Sequence, residues 1–177
     1  MQRIRSGDCE VSIPEGYEIV EHDHYQEQRT FFEDLPTDDP LIAEVLRGRT
    51  PDWQTIRKMR NSFEVRMGDH LLLFHTQEHG QPEDLADFIL SQTKQRVVLS
   101  ECLVGDCLGK AYGQYSDDMT WMDWWAKKGT CMICFNLQGR GIPVPRIKQD
   151  VETILRGTKW IAEPDAGGNA APPRASA

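Results

Sequence analysis

"GTCMICFNL", residues 129–137, sets two cysteines in a C-x-x-C spacing inside an apolar run. The spacing suits a thiol redox pair or half of a zinc site, whereas the apolar run suits a strand. On a strand, residues three apart face opposite sides, with Cα atoms roughly 10 Å apart. Cys131 then shares a face with Ile133, Phe135 and Leu137, and Cys134 joins Thr130, Met132 and Asn136. Thiols so placed cannot share one ion or close a disulfide, which needs Cα atoms within about 7 Å. Both cysteines therefore read as small apolar residues of a strand.

The flanking sequence supports the strand. Lys127-Lys128-Gly129 reads as a turn, and "MTWMDWWA" (119–126) precedes it as a second strand. "RVVLSECLVG" (96–105) and "CLGKAYGQY" (107–115) come earlier, closed by a turn at Ser116-Asp117-Asp118. Together these predict a three-stranded antiparallel meander. The glycines of 105–113 mark bulges or close approaches within the strand pattern. Near the N-terminus, "CEVSIPEGYEIVEHD" (9–23) alternates on both sides of Pro14-Glu15-Gly16 and predicts a hairpin. "FEVRMGDHLLLFHTQE" (63–78) alternates, turns at Gly68-Asp69 and resumes as a dense apolar strand.

Helices are announced by proline at the first helical position. "QPEDLADFILSQTK" (81–94) has Pro82 there, and "VPRIKQDVETILRG" (144–157) has Pro145, with Ile147, Val151, Ile154 and Leu155 along one stripe and Gly157 as terminator. "TDDPLIAEVLRG" (37–48) and "TPDWQTIRKMRNSF" (50–63) repeat the recipe as two short helices. "TKWIA" (158–162) adds a packed segment, and the Ala/Pro/Gly-rich residues 163–177 predict a disordered tail. The expected architecture is one α+β domain over 1–162: a mostly antiparallel sheet, N-terminal hairpin plus C-terminal meander, with helices packed on it.

That order of elements, ending in a helix and the phrase "DVETILRGTKWI", resembles the PsbP-like superfamily, over roughly residues 10–162. The superfamily includes an extrinsic photosystem II subunit, a Ran-binding import factor and small bacterial secretion-associated proteins. Residues 38–60 look like a helical insertion relative to its pattern. The resemblance implies action by binding another protein and carries no catalytic residue to this chain.

Composition narrows the function further. A hydrophobic share of 39% and a charged share of 27% are those of a soluble globular chain. The longest aliphatic-aromatic run, Leu71 to Phe74, is far too short for a membrane helix. No signal-peptide pattern follows Arg3 and Arg5, so the expected location is cytoplasmic and the five cysteines are expected to be reduced. The net charge of −8 excludes a nucleic-acid backbone as partner. Residues 10–39 carry ten acids against Arg29 alone, a local balance of −9.

Three constellations remain as candidate sites. Cys102 and Cys107 with Cys131 and Cys134 spell C-x4-C…C-x2-C, near a four-thiolate zinc pattern. "HTQEH" (75–79) matches H-x-x-E-H, but that motif needs a helix to bring His75 and His79 together, and here they end a strand. His22 and His24 form H-x-H and would join His79 in a mixed metal site. Against these stands "WMDWW" (121–125), where Trp121, Asp123 and Trp125 share one strand face and Trp124 takes the other. Exposed tryptophan is a common interface anchor. The expectation is a non-enzymatic adaptor, chaperone or immunity module without a cofactor, binding a protein through Trp121, Asp123, Trp124 and Trp125, with a homodimer left open. The alternative is a metal- or thiol-dependent enzyme built on the cysteines or on His75 and His79.

Overall fold

The computed structural model describes residues 1–33, 61–78, 84–93 and 97–161, together with Pro40. The helices expected over 37–48 and 50–63, the insertion at 38–60 and the tail at 163–177 fall outside the described residues, apart from Pro40 and residues 61–63.

The fold is α+β, dominated by antiparallel strands in two sheets. Strands β1 (Gln2–Ser6), β2 (Cys9–Ile13) and β10 (Lys159–Trp160) form a small sheet in the order β1-β2-β10. The large sheet runs β3 (Glu18–His22), β4 (Ser62–Met67), β5 (His70–Glu78), β9 (Cys131–Arg140), β8 (Met119–Lys128), β7 (Cys107–Tyr115) and β6 (Ser100–Val104). Helix α1 (His24–Glu33) follows β3, α2 (Leu85–Gln92) follows β5, and α3 (Pro145–Gly157) precedes β10.

Several expectations shift by a turn. The N-terminal hairpin is β1 with β2, closed at Gly7-Asp8 and not at Pro14-Glu15-Gly16, where the chain instead crosses from the small sheet to the large one. Two turns of similar composition compete there. The first carries Gly7 at φ 54° and leaves Ile4, Val11 and Ile13 on shared strands. The C-terminal meander has four strands, because Gly105-Asp106 turns the chain within what had read as one glycine-bearing stretch. Asp23 caps α1, its side chain accepting from Gln26 N at 3.0 Å. The acidic stretch there is therefore partly helix, not the loop its composition suggests. Asp84 likewise caps α2, accepting from Ala86 N at 2.7 Å, and the expected first helical position at Pro82 lies outside the described residues.

One face of the large sheet carries the main core. Leu72, Phe74, Trp124, Ala126, Ile133, Phe135 and Leu137 are buried there against Val11 and Ile13 of the small sheet and the α3 stripe Ile147, Val151, Ile154 and Leu155. Phe63, Phe74 and Phe135 continue across three strands as a ring ladder, with centroids 5.2 and 5.5 Å apart. Ser6 and Thr76 share a buried hydroxyl hydrogen bond of 3.1 Å between the sheets. The opposite face of the large sheet supports α2, where Phe88 meets Trp125 edge to face at 5.8 Å. That two-sided burial explains why β9 reads as a near-continuous apolar run.

Candidate functional site

The meander register sorts the "WMDWW" side chains onto two faces. Trp124 lies opposite Phe135 and Ala111 and is buried in the core, so it cannot serve as an exposed anchor. Trp121, Asp123 and Trp125 project to the other face, opposite Gln138, Asn136 and Cys134 respectively. Of these three, Asp123 is buried, Trp125 is half-covered beneath α2, and only Trp121 is exposed, at 36%.

Asp123 anchors a buried polar layer beneath this face. Asn136 donates from Nδ2 to Asp123 Oδ1 at 2.6 Å, and the Tyr112 hydroxyl donates to the same carboxylate. Burial pushes the Asp123 carboxyl up from its ordinary value, and the two hydrogen bonds partly offset that rise. The Tyr112 phenol is raised in turn, first by burial and then by the Asp123 charge, while the Trp125 indole beside it acts the other way. Trp125 Nε1 is buried, and beyond its approach to Tyr112 no hydrogen-bond partner meets it among the described residues.

The layer positions the exposed tryptophan. Tyr112 packs edge to face against Trp121, with centroids 5.4 Å apart at 77°. Trp121 then borders a shallow depression of about 580 Å³ with Leu71, Met119, Gln138 and Arg140. The backbone at its rim is fixed by the Gly141 carbonyl, which accepts from Thr120 Oγ1 at 2.6 Å and faces His70 Nε2 at 3.3 Å. Met119 is exposed beside Trp121, and Ile142 and Val144 are exposed in the connection to α3. A rigid aromatic anchor with apolar neighbours and a polar rim is suited to hold an apolar side chain of a partner.

The candidate metal residues are not assembled. Cys131 and Cys134 project to opposite faces of β9, Cys131 in the main core and Cys134 beside Trp125. Cys102 stands opposite Gly109 and Cys107 opposite Val104 on the β6–β7 hairpin. His22 meets Glu27 Oε1 through Nδ1 at 2.9 Å and Glu64 Oε2 through Nε2 at 3.5 Å, and His24 Nδ1 lies 3.8 Å from Glu27 Oε2. His75 lies within β5 beside Cys134, its pKa lowered by burial and then by His24. His79 is outside the described residues. Among the described residues, no group of three or more His, Cys, Asp and Glu side chains could hold a metal ion.

The Lys127-Lys128-Gly129 turn expected from the sequence sets no cross-strand register and so no partner for Asp123. The turn is Gly129-Thr130, which sets Asp123 opposite Asn136. Tyr112 is placed by the same register, one strand further on. Among the described residues, no helix is long and apolar enough to cross a membrane. No protein-family model, curated protein or solved structure matches the chain.

Proposed function

We propose that the chain is a non-enzymatic protein-binding module whose contact surface is the Trp121 end of the large sheet. The observation that carries this reading is the exposure of Trp121 next to Met119 and Leu71, held from below by Tyr112 and the Asp123–Asn136 hydrogen bond. Exposed apolar side chains scattered singly are ordinary. A fixed aromatic at the border of an apolar depression is the arrangement that concentrates binding energy. The partner presents an apolar side chain to this depression and polar groups to Arg140 and Gln138 at its border.

A thiol-dependent enzyme is the weaker reading because thiol chemistry needs the thiolate. Cys102 is pushed up to about 11 by burial, and burial likewise raises Cys107 and Cys134. Lys110 lowers Cys102 and Lys128 lowers Cys107 only in part, so both stay above the ordinary thiol value. The adaptor, chaperone or immunity role remains the class of function proposed, in the cytoplasm.

Affinity capture from the native host tests the proposal, comparing the wild-type chain with Trp121→Ala and with Val98→Ala as an exposed control on another part of the chain. Recovery of a partner by the wild type and the control, and its loss with Trp121→Ala, is expected. Equal recovery by all three removes Trp121 from the contact surface.

A further inference from the structure

Strand β6 ends the large sheet, and among the described residues nothing pairs with its outer edge. The two-residue turn Gly105-Asp106 makes Val104 and Cys107 a hydrogen-bonded pair, with Gly105 at φ 62° as its first central residue. Bonded pairs recur at every second position of an antiparallel ladder, so Cys102 with Gly109 and Ser100 with Ala111 follow. The main-chain N–H and C=O groups of Glu101 and Leu103 therefore point away from β7, and both residues are exposed. Edge strands are ordinarily blunted by lysine, proline or a bulge. The β6 sequence SECLV carries none of these and pairs with β7 without interruption.

This edge is also held in place. Gly105 N donates to Leu155 O at 2.8 Å, and Trp160 Nε1 donates to Val104 O at 3.3 Å, which pins the β6–β7 turn to the end of α3 and to β10. Beside the edge lies a groove of about 400 Å³, bordered by Glu101, Leu103 and Leu108 of the hairpin and by Glu152 and Arg156 of α3. Leu103 and Leu108 are register partners and both are exposed. Glu152 and Arg156 stand one helical turn apart, and neither has an ion-pair partner among the described residues.

We propose that β6 pairs antiparallel with β6 of a second copy of this chain, about a two-fold axis at Cys102, joining the two large sheets into one. Three registers bring the outward groups face to face. Glu101 opposite its own counterpart sets like charges directly across the strands, which is destabilising. Leu103 opposite its own counterpart sets Glu101 against Gly105, whose N–H is already given to Leu155. Glu101 opposite Leu103 engages every outward N–H and C=O of both copies, two bonds at each of the two pairs, and leaves Cys102 facing its counterpart. The groove carries the same symmetry. An acid and a base one turn apart complement themselves under a two-fold axis, with Arg156 of each copy towards Glu152 of the other. A strand from another protein would satisfy the main-chain groups but would bring no such reversed charge pair. These are main-chain bonds, so truncating Leu103 leaves them in place, and the axis lies two strands from β8, apart from the Trp121 surface.

Sedimentation equilibrium of the full chain, from micromolar to submillimolar concentration, tests this together with residue-resolved amide exchange at both ends of that range. The mass should rise from 20.3 kDa towards twice that value. Over the same range the Glu101 and Leu103 amides should slow by about tenfold or more, and the Cys102 amide, already bonded to Gly109, should change less. Glu101→Pro removes an N–H that the hairpin does not use and should keep the chain monomeric, whereas Trp121→Ala should associate as the wild type does. A chain that stays at 20.3 kDa throughout overturns the proposal. Loss of partner capture in Glu101→Pro would then give the edge to a foreign strand. Association without slowing at Glu101 and Leu103, or association lost in Trp121→Ala, overturns it as well by placing the contact elsewhere. Slowing of Leu103 alone overturns the register. Mass and exchange are read on the wild-type chain, so a misfolded Glu101→Pro does not shelter the proposal.

Discussion

Asn136 Nδ2 donates to Asp123 Oδ1 at 2.6 Å across β8 and β9, and the Tyr112 hydroxyl meets the same carboxylate from β7. Three consecutive strands thus contribute one side chain each to a buried polar layer. The edge of that layer supports Trp121. The layer is costly to leave half-paired, since a buried donor without an acceptor loses about 1–3 kcal/mol.

Asp123→Ala leaves the Asn136 amide and the Tyr112 hydroxyl without their acceptor, and should destabilise the chain by about 2 kcal/mol. Asp123→Asn keeps an acceptor for Asn136 and should cost less. The folded-state pKa of Asp123 lies above its unfolded value, so its neutral form is favoured in the fold. The associated stability is full below the ordinary aspartate range and is lost as pH rises through the folded-state value. Urea unfolding as a function of pH should therefore show a falling component in the wild type that is absent from Asp123→Asn. Identical pH profiles would contradict a raised Asp123.

Gly113 and Gly129 both have positive φ, at 129° and 60°, but differ in their surroundings. A Cβ on Gly113 would lie 2.1 Å from the Trp121 carbonyl oxygen, whereas one on Gly129 meets nothing within 4 Å. Gly129→Ala should cost about 1 kcal/mol, the strain of a left-handed residue alone. Gly113→Ala adds a clash with the strand that carries Trp121 and should cost about 3 kcal/mol or more. Chemical unfolding of the two variants side by side checks the order, and equal losses would refute the close approach.

Tyr17 donates from its hydroxyl to Asp150 Oδ2, tying the crossing between the two sheets to α3. Its phenol is pushed up to about 12, first by desolvation and then by Asp150. The neutral form is favoured in the fold, so this contribution is complete below pH 10 and is lost as pH rises through about 12. Tyr17→Phe should lower stability by about 1 kcal/mol at neutral pH. It should also remove the alkaline loss between those two values, as thermal unfolding at pH 8, 10 and 11.5 would reveal.

The strands and helices were legible where periodicity is strong. The alternation of Phe63, Val65 and Met67, the dense β5 and β9, and the α3 stripe all lie where expected. The opposed faces of Cys131 and Cys134 followed from strand geometry alone. Turns were less legible: Gly7-Asp8 and Gly105-Asp106 had competitors of similar composition close by, and the β8–β9 turn falls at Gly129-Thr130 rather than at Lys127-Lys128-Gly129. The Asp123–Asn136 bond depends on the exact register of two strands, which alternation alone does not fix. Trp124 and Trp121 were equal candidates until the register put one in the core and the other at the surface.

The claim that the Trp121 end of the sheet is the contact surface is tested most directly by calorimetric titration of the captured partner into wild type, Trp121→Ala and Leu103→Ala. Leu103 is also a large apolar side chain and is more exposed, at 53%, but lies on β6, two strands beyond β8. Loss of about 2 kcal/mol or more of binding free energy in Trp121→Ala, with Leu103→Ala within about 0.5 kcal/mol of wild type, is the predicted result. Binding by Trp121→Ala as tight as that of the wild type would contradict the account.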